Sequence, residues 1–285
     1  MKFWEEKLFL QAGGMMAYRY FIKLAYQGTA YGGWQKQPNA ITVQQSIENG
    51  LHTIAGIHGG ITGCGRTDAG VHACVFYAHF DHAEAFSEEE LLQLSQRLDR
   101  FLPQDIVIFG IKPVYPQVHA RYSAVWREYE YLVIRHKDPF SFQHAYLVHG
   151  KLNVDLMNIC AGMLLGKHDF ECFSKTHTQV NNYLCEIKCA HWETREHELK
   201  FTIRADRFLR NMVRAIVGTL LDVGREKITA NDFQLIIESH DRSRAGYSVP
   251  AKALTLSGIG YPEGIFSERP EHFVNEGGTK SIPLV

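Results

Sequence analysis

No two cysteines in this 285-residue chain stand at Cys-x-x-Cys spacing. The six lie at positions 64, 74, 160, 172, 185 and 189, and the nearest pair, Cys185 and Cys189, has no second pair to complete a zinc site. They read as reduced thiols of a cytosolic protein. His-Glu-x-x-His is missing despite fifteen histidines, so no metal is expected. Gly-x-Ser-x-Gly and the Walker phosphate loop are absent too, which removes the usual serine hydrolase and nucleotide-phosphate readings. No apolar run approaches the roughly 20 residues of a membrane helix, so no membrane partner is expected. An excess of one charge is also lacking. Lys and Arg total 30 against 31 Asp and Glu, a formal net charge of −1. That balance does not announce a nucleic-acid binder, although basic residues can still gather on one face.

What is present is a composition able to bury a core, 45% hydrophobic and 21% charged. The length suits one large domain or two of about 100–150 residues. Residues 1–16 do not form a signal peptide, because Lys2, Glu5, Glu6 and Lys7 interrupt the apolar positions. Met15-Met16 precedes the first clean strand, so 1–16 is expected to be an extension, with Trp4, Leu8 and Phe9 available to dock.

Alternation predicts strands over 18–26, 71–80, 106–114, 124–136, 184–195, 198–205 and 254–260. Thr42 with Gln45, Ser87 with Glu90, and Thr229 with Asp232 mark helix starts. Asn153 is a plausible cap for a helix over 156–165. The strongest helix signal covers 208–223, where Leu209, Met212, Val213, Ile216, Val217 and Leu220 make an apolar stripe. Arg207, Arg210 and Arg214 share a separate flank. Residues 168–182 read as a polar loop. The order over 18–114 is β-α-β-β-α-β, and the second half repeats that plan loosely. The expected fold is therefore α+β, with two ferredoxin-like halves, largely antiparallel sheets and a catalytic cleft between them. The boundaries predicted are 17–116, 117–263 and a loosely held tail over 264–285.

The stretch around which this plan is organised is Gly63-Cys64-Gly65-Arg66-Thr67-Asp68-Ala69-Gly70-Val71-His72-Ala73. Its glycines allow tight turns and close approach by another molecule. Asp68 and Arg66 on such a loop suit either a working site or a plain turn in which Asp68 caps the next amides. Tyr26, Tyr31 and Trp34 with Lys36 in the first loop suit base stacking and phosphate contact, or an aromatic corner of the core, with the core favoured for Trp34. The residues alone thus leave open an enzyme with a nucleophilic or basic Asp68, a non-catalytic RNA-binding module, and a glycosidase. The last lacks an identifiable second acid.

The run Gly65-Arg66-Thr67-Asp68-Ala69-Gly70-Val71-His72 resembles the TruA family of tRNA pseudouridine synthases. The likeness continues, in order, through Tyr26-x-Gly28-x-x-Tyr31-x-Gly33-Trp34-Gln35-x-Gln37, Thr42-Val43-Gln44, His119-Ala120-Arg121-Tyr122-Ser123-Ala124, Arg127-x-Tyr129-x-Tyr131, Gly166-x-His168-Asp169-Phe170, Phe208-Leu209-Arg210-x-Met212-Val213-Arg214, and Val249-Pro250-Ala251 to Tyr261-Pro262. It spans about 18–262.

The resemblance implies isomerisation of uridine to pseudouridine in the tRNA anticodon stem-loop, at tRNA positions 38–40, by a cytoplasmic homodimer that needs no cofactor. Under it Asp68 is the essential carboxylate, acting covalently or as the base that starts glycal formation. Arg210 pairs with Asp68. Tyr129 stacks on the flipped base and takes the C5 proton. Arg66 fills the space the base leaves, offsetting part of the few kcal/mol that flipping costs. His119, Ala120, Arg121, Tyr122 and Ser123 line the RNA. The sequence departs from the family pattern at Gln27, Asn181-Asn182 and Ala253, positions that concern RNA grip and loop shape.

Overall fold

The computed structural model describes residues 17–175 and 182–266. The expected extension 1–16, Asn181 and nearly all of the expected tail lie outside the described residues.

The N-terminal half runs β1 (Tyr18–Tyr26), α1 (Val43–Ala55), β2 (Thr62–Gly63), β3 (His72–His82), α2 (Glu88–Phe101) and β4 (Ile106–Val114). The C-terminal half runs β5 (Trp126–Ile134), β6 (Tyr146–Leu147), α3 (Val154–Gly162), β7 (Gly166–Asp169), β8 (Leu184–Arg195), β9 (Glu198–Ala205), α4 (Met212–Gly224), α5 (Ala230–Ser239) and β10 (Leu254–Gly260). The helix starts follow from their caps. Ser87 and Glu90 form a reciprocal capping box, as do Thr229 and Asp232. Asn153 accepts from the Leu156 amide, and Thr42 accepts from the Gln45 amide.

One sheet spans both halves. Its main path is β4-β1-β3-β10-β5-β9-β8-β7, with β2 on β3 and β6 on β5. Two separate sheets were expected. The last strand makes the difference: β10 pairs parallel with β3 on one side and antiparallel with β5 on the other. The remaining pairings are antiparallel except β5 with β6.

Two apolar clusters cover this sheet. In the first, Tyr20, Ile22, Leu24, Phe76, Ala78 and Phe80 meet the helix residues Ile47, Leu51, Leu94 and Leu98. In the second, Tyr131, Val133, Phe201 and Ile203 meet Met157, Cys160, Ile216, Leu220 and Phe233. Leu254 belongs to the second and Leu256 to the first. Residues two apart on a strand point to the same side, so both helical layers sit on one face of the sheet. Tyr129 packs against both, which places it at their junction.

α4 begins later than its apolar stripe predicts. Asn211 takes a left-handed conformation (φ 67°), and helical geometry starts at Met212. Its side-chain amide donates to Ser248 Oγ at 2.6 Å, a tertiary contact that offsets the cost of this conformation. The polar loop expected over 168–182 also begins differently, because Gly166–Asp169 adds a short edge strand to β8.

Candidate active site

Asp68 is the first residue of a tight turn. The Val71 amide donates to the Asp68 carbonyl at 3.1 Å, and Gly70 at the third position has φ 80°, the signature of a type II turn. The carboxylate does not serve this turn. Its partners are arginines of the C-terminal half. Arg214 Nη1 donates to Asp68 Oδ2 at 3.3 Å, and Arg210 Nε lies 3.9 Å from Oδ1. An Asp turned away from its own loop and toward two cations is not acting as a turn cap.

The two arginines differ. Arg214 Nε donates to the Val249 carbonyl at 2.7 Å, so its guanidinium is held on one edge while the other reaches Asp68. Its side chain is 21% exposed, against 60% for Arg210. An exposed pair at 3.9 Å is worth little, whereas a backbone-anchored guanidinium is pre-oriented. The resemblance points to Arg210 as the partner of Asp68; the hydrogen bond comes from Arg214, in the first turn of α4.

The rest of the loop is fastened along its length. The Trp34 amide donates to the Thr67 carbonyl at 3.3 Å, and the Gly70 amide to the Tyr31 carbonyl at 3.3 Å. The buried Tyr26 hydroxyl is 2.8 Å from Thr67 Oγ1. A β-carbon at Gly33 (φ 97°) would sit 2.4 Å from the Thr67 carbonyl oxygen, and one at Gly28 would sit 2.0 Å from that of Val71. These glycines are therefore required by close backbone approach. The Gly28 amide donates to His72 Nδ1 at 3.0 Å, so the proton of His72 sits on Nε2 and is donated to the Lys252 carbonyl at 2.8 Å. Burial lowers the His72 pKa, in keeping with this neutral tautomer.

Trp34 and Tyr31 belong to the core. Trp34 stacks on Phe76 with ring centroids 4.1 Å apart, and the Tyr31 hydroxyl donates to Asp105 at 2.6 Å. Neither ring is presented for base stacking. Gln27 bonds to His144 at 2.8 Å and, with His72, borders a cavity of about 850 Å³ that neither Asp68 nor Tyr129 lines.

Tyr129 lies on β5, with its ring edge-on to Phe208 at 5.2 Å. Burial, with the Cys64 and Asp68 groups adding to it, raises its pKa well above the usual phenol value. The phenol is therefore protonated near neutral pH, which suits a stacking surface better than a ready proton acceptor.

The expected RNA-lining stretch divides. The His119 ring accepts from the Arg121 and Tyr122 amides, and the Ser123 hydroxyl accepts from the His119 amide at 3.0 Å. Ala120 is fully buried; its amide donates to His79 and its carbonyl accepts from Tyr261. These three build the connector. Arg121 and Tyr122 project outward, with the guanidinium 5.6 Å over the ring. Arg66 is exposed as well.

Among the described residues, Asp169, Glu171 and His240 have donor atoms close enough to hold a metal. The His240 ring pairs with Asp169 at 3.2 Å, and Asp169 accepts from the Glu171 amide.

A family model described as tRNA pseudouridine synthase matches residues 160–262. A tRNA pseudouridine synthase A of Parabacteroides distasonis is 49% identical over 248 residues, covering 87% of this chain and 98% of that protein. The protein of the same name from Bacteroides thetaiotaomicron is 48% identical over 90% of this chain and 95% of its own length. That of Clostridium acetobutylicum is 38% identical over 84% and 98%. The chain belongs to the tRNA pseudouridine synthase A family. Membership makes the chain an isomerase that acts on tRNA.

Sequence reasoning gave no role to three residues that contact the Asp68 loop. Arg127 donates to the Cys64 carbonyl at the base of the loop. His72 closes its other end, and Arg214 supplies the hydrogen bond. Arg127 and Arg214 both stood inside quoted motifs, but their partners are distant in sequence.

Proposed function

We propose that this tRNA pseudouridine synthase converts uridine to pseudouridine in the anticodon stem-loop, at tRNA positions 38–40, with Asp68 as the reactive carboxylate. The hydrogen bond from the anchored Arg214 to Asp68 carries the reading. A fixed guanidinium beside the carboxylate pairs with it and orients it. The N1–C1′ bond of uridine breaks, uracil turns over, and C5 joins C1′. An ionised Asp68 supports either attack at C1′ or proton removal toward a glycal. Tyr129 offers its ring to the extruded base. The proton on C5 leaves after the new bond forms, and the raised pKa of Tyr129 gives its phenolate little part in the resting enzyme. Arg66, exposed at the head of the turn, enters the gap the base leaves, while Arg121 and Tyr122 meet the strand outside. His119, Ala120 and Ser123 hold that stretch in place.

In this reading the chain works as two units, 17–116 with Asp68 and 117–263 with Arg210, Arg214 and Tyr129. The two apolar clusters support that division. A cytoplasmic homodimer is part of the same proposal: with a net charge of −1, one copy has little excess positive charge to hold tRNA, and two copies can share a basic surface. No described helix is long and apolar enough to cross a membrane.

The test is tritium release from tRNA labelled with 5-[³H]uridine. Wild type is expected to release it, and Asp68→Asn to lose at least about 1000-fold, as expected when the reacting group is removed. Equal release from both proteins would overturn the assignment. Release confined to uridines outside the anticodon stem-loop would overturn the substrate reading.

A further inference from the structure

Arg127 stands on β5 two residues before Tyr129, and its guanidinium makes four hydrogen bonds, all to backbone carbonyls. Nη2 donates to Cys64 at 3.0 Å and also to Arg121. Nη1 donates to Asp206 at 2.9 Å and to Ala124 at 3.1 Å. Among the described residues no carboxylate lies within ion-pair distance of it. These carbonyls belong to three separate segments: Cys64 begins the loop that presents Arg66 and Asp68, Arg121 and Ala124 belong to the connector, and Asp206 follows β9 where the chain leaves for Arg210 and Arg214.

A surface arginine held for solubility has no reason to gather carbonyls from three segments. Two further facts tie it to the site. Its charge favours the ionised forms of both the Cys64 thiol and the Tyr129 phenol, so it lies electrically inside the cleft. The backbone of residue 127 is also fixed on both sides, opposite Ala205 on β9 and Ile259 on β10. The guanidinium therefore issues from a rigid part of the sheet. A planar fork with donors pointing several ways can bind four carbonyls at once; a lysine ammonium carries three donors on a single atom and cannot span them.

We propose that Arg127 is a positioning residue for isomerisation. It sets the distance between the Asp68 turn and the approach to α4, so that Asp68 and Arg214 meet, and it holds the RNA-facing connector in register with them. This rests on the reading of Asp68 as the reactive carboxylate. Arg127 itself touches none of the reacting atoms. Its unneutralised charge adds to the positive potential of a cleft that receives a polyanion.

The experiment uses the full chain with Arg127→Lys and Arg127→Ala, beside wild type and Asp68→Asn. Single-turnover tritium release is measured at saturating 5-[³H]uridine-labelled tRNA, tRNA Kd by filter binding, and folding by thermal melts. Displacement of a reacting group by about 1 Å costs on the order of 100-fold in rate, and that loss is expected for both Arg127 variants. Kd should change by less than about threefold, because the outward groups at the interface are untouched. Millimolar methylguanidinium should restore part of the rate to Arg127→Ala, and none to Asp68→Asn. A single-turnover rate in Arg127→Lys within threefold of wild type overturns the proposal. So does a loss confined to Kd, or loss of the folded transition in both variants, which would make Arg127 a stability element alone. An active Asp68→Asn overturns the reading beneath it; an inactive Asp68→Asn beside a fully active Arg127→Lys overturns only this proposal.

Discussion

The Asp68 turn and the connector at 119–123 are both held by Arg127 but are built in opposite ways. Around the turn, Tyr26, Gly28, Tyr31, Trp34, His72 and Arg127 fix the backbone at nearly every residue, and the carboxylate itself is 26% exposed. On the connector the fixed part is inside, through His119, Ala120 and Ser123, while Tyr122 is 76% exposed and Arg121 lies beside it. On the proposed reading, the difference separates chemistry from grip. A carboxylate that must meet one sugar carbon gains from a backbone that cannot move. Side chains that follow a flexible RNA strand gain from freedom, and they contribute through charge and stacking.

The sharpest way to break this comparison is to change the two arginines one at a time. Arg214→Gln removes the anchored partner of Asp68 and should lower single-turnover isomerisation by about 100-fold with little change in tRNA Kd. Arg210→Gln, at the exposed 3.9 Å contact, should cost about tenfold or less, mostly in Kd. The reverse order would return the role to Arg210 and make the Arg214 contact incidental. A second test bears on the turn's rigidity. Gly33→Ala places a β-carbon against the Thr67 carbonyl in a left-handed conformation, and a destabilisation of at least about 3 kcal/mol is expected in chemical denaturation. A Gly33→Ala variant as stable as wild type would show that the first loop can yield.

The sequence made most strands legible, though not their union in one sheet, and left the site half-written. Strands 18–26, 106–114, 184–195, 198–205 and 254–260 lie where alternation puts them, because each has one face on an apolar cluster. Caps at Ser87, Asn153 and Thr229 are local chemistry and were equally plain. β7 was hidden, since Gly166–Asp169 is an edge strand with polar Lys167 and His168 and carries no strong pattern. The apolar stripe from Leu209 ran past the true start of α4, because the left-handed Asn211 is held by Ser248, 37 residues away. Arg127 was invisible as a clamp for a related reason. Its partners are carbonyls, which every residue carries, and only the fold says whose.

On the connector the expected effect is smaller and of another kind. Arg121→Ala with Tyr122→Ala should weaken tRNA binding by roughly threefold to tenfold and leave the single-turnover rate at saturation unchanged. Losing a phosphate contact should also flatten the salt dependence of log Kd by about one unit of slope. A loss in rate at saturation would mean that the connector shapes the reacting geometry, and the division between chemistry and grip would fail there.

The smallest expected effect probes how the connector is joined to the sheet. His79 is buried on β3, stacked on Phe21 at 5.9 Å, and accepts the Ala120 amide on Nδ1. Burial pushes its pKa down to about 4, and the positive charges of Arg19 and His119 act in the same direction while Asp81 opposes them. Unfolded, the same ring titrates near 6.5. Between those values the unfolded chain binds the proton and the folded one does not, so stability must fall as pH drops from about 6.5 toward 4. Above 6.5 the contribution is fully present. By pH 4.5 the loss is on the order of 2–3 kcal/mol. His72, lowered by burial as well, adds to it with the same sign. Melts at pH 7 and pH 4.5 should therefore differ by several degrees in wild type and by less in His79→Gln, where the titrating group is gone. An identical acid response in the two proteins would mean that the ring accepts a proton in place, with the connector moving aside to solvate it.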